Sequence, residues 1–451
     1  MGCAGAHPGC TISCNHKRSD IHKMTSERVP VSEVLTLHRP RPRPGRTAAR
    51  ASLGLAPALV TAVAYVDPGN VATNSSAGSA YGYGLLWVVV GATAAAGLIQ
   101  YLSAKLGTCT GRSLTQSVAS VLGRRARIAY WIQVELVAVA TDIAEVVGGA
   151  VALQLLFGLP LWAGAFIVAA LSTALLHLRS TRGEDTFATA IAVALGIIAC
   201  GFIGCTIAAG PTADGVLAGM QPQLPDSQAV FLASGIFGAT VMPHAIYVHS
   251  ALSRDSSQRL RAGGPIDFGR IGELLSTTRR GVVCAMLLAG SINAALLLTA
   301  AALPRGGQSL TLEGVHATIS TVLGALPALA LALALLVSGL ASTAVGTHAG
   351  DVAMRDLIHR RVPAGVRRIA ALAPAVLLLA ADLDTTHLLV LSQVGLSLGV
   401  PFALIPLIRL TARRSLMGRA VNHWATTAGA AAVAAAAVAI NGFLLVRLAV
   451  G

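Results

Sequence analysis

Long apolar runs succeed one another along most of this chain, each near the roughly 20 residues that carry a helix across a bilayer. We read eleven of them, at 51–80, 85–107, 128–157, 161–178, 186–209, 228–252, 280–303, 317–349, 366–382, 386–409 and 423–446. Ala, Leu and Val follow one another within these runs. A membrane β-barrel strand would alternate polar and apolar positions, so the pattern predicts an all-α polytopic membrane protein. Residues 1–50 hold no such run, and His38 to Pro44 alternate basic residues with prolines. That pattern predicts a disordered basic tail.

The interruptions are as informative as the runs. From Ala49 to Tyr65 the single charge is Arg50, and then Asp67-Pro68-Gly69-Asn70 falls within the first span. Proline cannot continue the helical ladder, and glycine holds it weakly. An acid beside a helix break at bilayer depth persists only where the broken backbone lines a cavity or a site. A second break, Met242-Pro243-His244, interrupts the sixth span, 175 residues after the first. Each break sets a side chain with ligand capacity, Asp67 or Met242, directly before proline. Each proline also frees the carbonyl four residues earlier, that of Ala64 or Ala239. The second break lies five spans after the first, and an odd number inverts the second unit in the membrane. This is the pattern of inverted-repeat transporters with discontinuous helices and a midplane site. We therefore divide the chain into a first five-helix repeat at 51–209, a second, inverted repeat at 210–410, and an eleventh helix within 411–451.

The third span is polar in another way. Glu135, Asp142 and Glu145 are spaced by seven and three residues, which places all three on one helical face. That face must look into the protein or into water, and it reads as a proton path. His244 and His249, after the second break, are further proton candidates because histidine titrates near physiological pH.

Charge settles the topology. Only 12% of the 451 residues are charged and mean hydropathy is +0.70, against about 25% charged residues in a soluble domain. A net charge of +14 would suggest a nucleic-acid partner for a soluble protein. Here 31 of 33 Lys and Arg fall in the tail and in alternate loops, with Arg305 and Arg447 on the other side. By the positive-inside rule the N-terminus is cytoplasmic and the C-terminus external. The basic excess thus marks orientation, and no nucleic acid is expected. The seven cysteines avoid the external loops, so no disulfide framework is implied. Three lysines against thirty arginines, with much alanine, point to a GC-rich genome and a bacterial cell membrane.

The midplane groups are the Asp67 carboxylate, the Asn70 amide oxygen, the carbonyls of Ala64 and Ala239, and the Met242 thioether. All are donors to a cation. Oxygen donors alone accept Mg²⁺ or Ca²⁺. A thioether suits softer first-row metals better, so Met242 argues for a transition metal.

The segment Ala64-Tyr65-Val66-Asp67-Pro68-Gly69-Asn70 and the segment Met242-Pro243-His244 resemble the two signatures of the Nramp (natural resistance-associated macrophage protein) divalent metal transporters. The resemblance runs from about Gly54 to about Thr411 and includes Thr141-Asp142-Ile143-Ala144-Glu145 and Leu391-Ser392-Gln393. It implies a LeuT-like fold and proton-coupled import of Mn²⁺ or Fe²⁺, with the metal as cargo and no resident cofactor. It implies metal ligation by Asp67, Asn70, Met242 and the carbonyl of Ala64 or Ala239, with Gln393 joining in an occluded state. It further implies a proton route through Asp142, Glu145 and Glu135 with Arg367 or Arg368, coupled to the metal by His244. His348 and Asp351 depart from the family pattern. A cation-coupled amino-acid carrier of the same fold is the alternative, but Asp67 would repel the carboxylate of its substrate. A metalloenzyme would need three strong protein ligands and an open water position, which these breaks do not offer.

Overall fold

The computed structural model describes residues 57–58, 60–182, 184–262, 268–304, 311–359, 373–381 and 383–450. The tail at 1–50 lies outside them, as do Arg367 and Arg368. A 3₁₀ turn at Val63–Val66 leads into α1 (Pro68–Tyr81). Then follow α2 (Leu86–Thr110), the short α3 (Leu114–Ala119), α4 (Arg124–Phe157), α5 (Leu161–Arg182), α6 (Glu184–Ala209) and the short α7 (Ala213–Ala218). The second half opens with α8 (Ser227–Thr240) and α9 (Pro243–Ala262), followed by α10 (Phe268–Ala302), α11 (Leu312–Val322) and α12 (Ala325–Ile358). Residues 373–380 form α13. Last come α14 (Thr385–Thr411), the short α15 (Arg414–Met417) and α16 (Trp424–Val450).

Both expected breaks are present, between the 3₁₀ turn and α1 and between α8 and α9. Among the described residues, eight helical segments are long and apolar enough to cross a membrane. That number counts α1 with α2, and α8 with α9, as single segments, and Leu161–Ala174 is a shorter apolar stretch. The ninth expected span, 366–382, is described only over 373–381. The eighth is corrected. Instead of one helix over 317–349, the chain turns at Gly324, whose φ of 97° lies in the left-handed region where glycine avoids a Cβ clash. The span proper begins at Ala325 and continues to Ile358. Hydropathy marks the part of a helix inside hydrocarbon and is silent about its extension beyond. For the same reason α4 starts at Arg124 and α9 continues through Arg254 to Ala262.

The interior is built from α1, α4, α8, α9 and the helices that cradle them. α4 packs along α12 and α14, α9 along α2, α1 along α10, and α8 along α14. α16 stands at the edge, tied to α14 where the Asn441 amide donates to Ser397 O (2.7 Å) and accepts from Ser397 Oγ (2.7 Å). At the Arg-rich end, the Asp356 carboxylate accepts from Ser113 Oγ (2.5 Å), Thr115 Oγ1 (2.5 Å) and Gln116 Nε2 (3.1 Å). It also lies 3.8 Å from the Arg254 guanidinium, so one acid fastens α3, α9 and α12 together. At the other end the Tyr81 hydroxyl donates to Asp226 (2.5 Å). That bond holds the exposed Asp226 carboxyl below the usual carboxylate range.

Close helix crossings rest on small residues. A Cβ on Gly107 would lie 2.2 Å from the Ser250 carbonyl oxygen, a backbone atom that cannot swing aside. Gly107→Val should therefore lower thermal stability in detergent by roughly 1–3 kcal/mol, the usual penalty for overpacking. Gly91→Ala, whose Cβ meets no atom within 4 Å, should keep the unfolding midpoint or raise it slightly, since alanine holds a helix better than glycine.

Candidate metal site

Pro68 and Pro243 each occupy the first position of a helix, where a missing N–H is harmless. The residue before a proline is pushed to extended backbone, and Asp67 adopts φ −70°, ψ 165°. Asp67 thereby becomes the N-cap of α1. Its Oδ1 accepts from the Asn70 backbone N–H (2.9 Å) and from Asn70 Nδ2 (2.7 Å). Met242 holds the equivalent position before α9 and is fully buried. The sequence symmetry is thus also a structural one: each ligand candidate sits at the mouth of a helix whose N-terminal N–H groups point toward it.

Asn70 joins the breaks. Its Nδ2 also donates to the Ala239 carbonyl (2.9 Å), the one that Pro243 releases. Its Oδ1, the atom expected to ligate, has no hydrogen-bond partner. A half-turn of the amide exchanges the two atoms, so the same side chain can bridge the breaks or turn an oxygen to a cation. Gln393 on α14 closes the group, donating from Nε2 to Asp67 Oδ2 (3.2 Å). Gly69 makes room for it, since a Cβ there would lie 1.7 Å from Gln393 Nε2. Ala64 lies buried in the 3₁₀ turn just before Asp67. The structure therefore brings Asp67, Asn70, Ala239 and Gln393 together through direct hydrogen bonds, with Ala64 and Met242 buried at the two breaks.

The expected proton groups divide. The Nδ1 of His244 lies 3.4 Å from Thr141 Oγ1 on α4, next in sequence to Asp142 and one turn from Glu145. Gly346 of α12 covers those acids, because a Cβ there would lie 3.4–3.5 Å from the Glu145 and Asp142 carboxylates. Glu145 is fully buried, while Asp142 and Glu135 are half-buried toward the Arg124 end of the same helix. His249 faces elsewhere, with its Nδ1 2.6 Å from Gln100 Oε1. Gln100 in turn donates to the Tyr65 hydroxyl. His348 and Asp351 are half-buried on α12.

Four supporting residues escaped the sequence reading: Tyr65, Gln100, Asn293 and Ser338. Asn293 of α10 donates to the Tyr65 carbonyl (2.9 Å), and Ser338 of α12 donates to the Val66 carbonyl. They satisfy backbone oxygens that the first break sets loose. The available signal was an uncharged amide in an apolar span, which is costly in hydrocarbon unless it has a partner. Among the described residues, no three His, Cys, Asp or Glu side chains gather as a metal cluster. The candidate site thus combines one carboxylate with neutral donors.

The sequence model of the natural resistance-associated macrophage protein-like family matches residues 58–447. The divalent metal cation transporter MntH of Mycobacterium tuberculosis strain H37Rv is 48% identical over 374 residues, covering 83% of this chain and 86% of that one. The transporter of the same name from Aeromonas hydrophila is 42% identical over 398 residues, covering 87% and 95%. A crystal structure of the Eremococcus coleocola manganese transporter, in complex with an aromatic bis-isothiourea substituted compound, superposes with TM-score 0.78 at 28% identity, covering 90% of this chain and 88% of that one. Mhp1, a nucleobase-cation-symport-1 family transporter, superposes with TM-score 0.56 at 14% identity, covering 86% and 91%, and shares the fold alone. The architecture is the LeuT-like one.

The contact of Gly69 with Gln393 generates a test. Gly69→Ala should weaken Mn²⁺ binding, read by isothermal titration calorimetry, about tenfold, the worth of one hydrogen bond to a charged group. In a Gln393→Ala background the same substitution should cost little more, because the two losses share one cause. Full additivity would separate Gly69 from Gln393.

Proposed function

The chain belongs to the natural resistance-associated macrophage protein family of divalent metal transporters, and from that premise we propose that it imports Mn²⁺ or Fe²⁺ with protons across the cytoplasmic membrane. It is a multi-pass membrane transporter and not an enzyme. The observation that carries the proposal is the buried Asp67 carboxylate, set at a helix break and shared by Asn70 and Gln393.

The chemistry runs from there. A cation entering the site meets the Asp67 carboxylate, the Met242 thioether and the amide oxygens of Asn70 and Gln393 once these turn. The carbonyls of Ala239 and Ala64 complete the donor set in alternate states. Asp67 releases its proton as the metal arrives. His244 takes the proton toward Glu145 and Asp142, and Glu135 continues the route to the Arg-rich end of α4. The proton passes from Glu135 to cytoplasmic water, and Arg367 or Arg368, always protonated, belongs to the route as a charge partner of the acids and not as an acceptor; both lie outside the described residues. The approach of His244 to Thr141 supports this direction of travel. His249, bound to Gln100, is a secondary proton group in the same scheme.

The Arg-rich side is the cytoplasm, which puts the N-terminus inside and the C-terminus outside. Residues 51–209 and 210–410 are the two inverted repeats, and α16 is an addition beyond them. One repeat bundle rocks against the other about the broken helices, exposing the site first outside and then inside.

In proteoliposomes, Mn²⁺ uptake should speed up when the outside is acidified, and Asp67→Ala should abolish it. Uptake indifferent to the pH gradient would refute coupling. Glu145→Gln should retain Mn²⁺ binding by calorimetry while proton influx, followed with an interior pH dye, falls roughly tenfold or more, as for loss of a general acid–base group. Met242→Ala should let Ca²⁺ compete for uptake; persistent exclusion of Ca²⁺ would show that the thioether does not set selectivity.

A further inference from the structure

Helices α2 and α10 run antiparallel and turn Gln100 and Asn293 into the core. Their other faces leave a groove of about 610 Å³ that ends at Tyr101 and Arg279. The helices touch where a Cβ on Gly290 would lie 2.5 Å from Thr93, and stand further apart where a Cβ on Gly97 would lie 3.5 Å from Met286. Ala94 and Ala294 keep the floor shallow in side-chain volume. Val283 and Leu287, 51% and 65% exposed, form an apolar rim. From Arg279 to Ala294 the groove follows α10 for roughly 22 Å at 1.5 Å per residue. It is too long and too apolar for a free anion and is shaped for a chain.

Charge identifies what that chain belongs to. Arg279 is exposed at the Arg-rich end and makes no ion pair with a described carboxylate. Across the groove Lys105 lies over the Tyr101 ring, 5.9 Å from its centroid, and donates to Asn422 (2.9 Å). Among the described residues that line this acyl-sized slot, Arg279 is the one charged group, at its mouth, with the buried Lys105 behind Tyr101. We propose that the α2–α10 groove binds one anionic phospholipid, its phosphate on the Arg279 guanidinium and an acyl chain along Gly97 and Ala94. Arg279 supplies charge-assisted hydrogen bonds in the fork geometry that suits phosphate. The bound lipid bridges the two helices that carry Gln100 and Asn293, and so braces the first break from behind.

Native mass spectrometry of the full chain in detergent, with phosphatidylglycerol and phosphatidylcholine offered at equal concentration, reads the preference directly. Wild-type protein should retain phosphatidylglycerol. Arg279→Ala should reduce the preference about fivefold, the worth of one basic residue at an anionic surface. Ala94→Trp, which fills the groove and leaves Arg279 in place, should lose the retained lipid. Equal retention of the two lipids by wild type, or a preference that survives both variants, overturns the proposal. On the unaltered chain, phosphatidylglycerol with a diazirine in its acyl chain should cross-link to peptides spanning 90–101 and 282–294. Labelling confined to other helices overturns it too, whether or not the variants fold.

Discussion

Inside hydrocarbon no water is available to a freed backbone group, and each one left unmet costs several kcal/mol. Two broken helices at bilayer depth therefore have to be repaired by side chains, and much of this fold follows from that repair. Asn293 meets the Tyr65 carbonyl, Ser338 the Val66 carbonyl, and Asn70 the Ala239 carbonyl. Asp67 caps α1 with its own carboxylate. Repair requires that neighbouring helices come close, which explains the glycines. A Cβ on Gly148 of α4 would lie 2.0 Å from Pro68 Cβ, and one on Gly339 of α12 would lie 3.4 Å from Pro68 Cγ. The break is held because the helices around it have been pared to backbone where they touch it.

The same arrangement decides what the site can bind and release. Helix N-termini at α1 and α9 carry partial positive charge, while the carbonyl ends that precede them favour a cation. One full negative charge among neutral dipoles attracts a divalent ion without trapping it. A cluster of several carboxylates would bind more tightly and release slowly, as fits a structural site and not a carrier. Asn70 and Gln393 complete the balance. Each hydrogen-bonds to Asp67 through nitrogen and has an oxygen with no hydrogen-bond partner. An amide rotation is a small motion, and it exchanges a donor that satisfies the carboxylate for an acceptor that shares a metal with it.

The breaks were legible in the sequence because they violate a rule: an acid, prolines and a thioether stand where only apolar helix is stable. The three acids of α4 were legible for the same reason. What surrounds them was not. Asn293, Ser338 and Gln100 are single polar residues in long apolar runs, and periodicity does not say which carbonyl each one meets. The role of Gly69 is invisible until Gln393, over 300 residues away in the chain, is seen lying on it. The turn at Gly324 was missed because apolar residues continue on both sides of it and only the backbone angle marks the change.

The two histidines of α9 show why spacing alone could not assign roles. They are five residues apart, about one and a half turns, and so point to different sides of the helix. His244 points to α4, where Thr141 leads to the acid face. His249 points to α2, where Gln100 connects it to the hydroxyl of Tyr65, whose own carbonyl is held by Asn293. The first histidine lies between the break and the acid-bearing helix. The second is linked through Gln100 and Tyr65 to the backbone just before Asp67. One broken helix thus sends one histidine to the acid-bearing α4 and the other to the hydrogen bonds that hold Tyr65, so the two flanks of the break are tied to different partners.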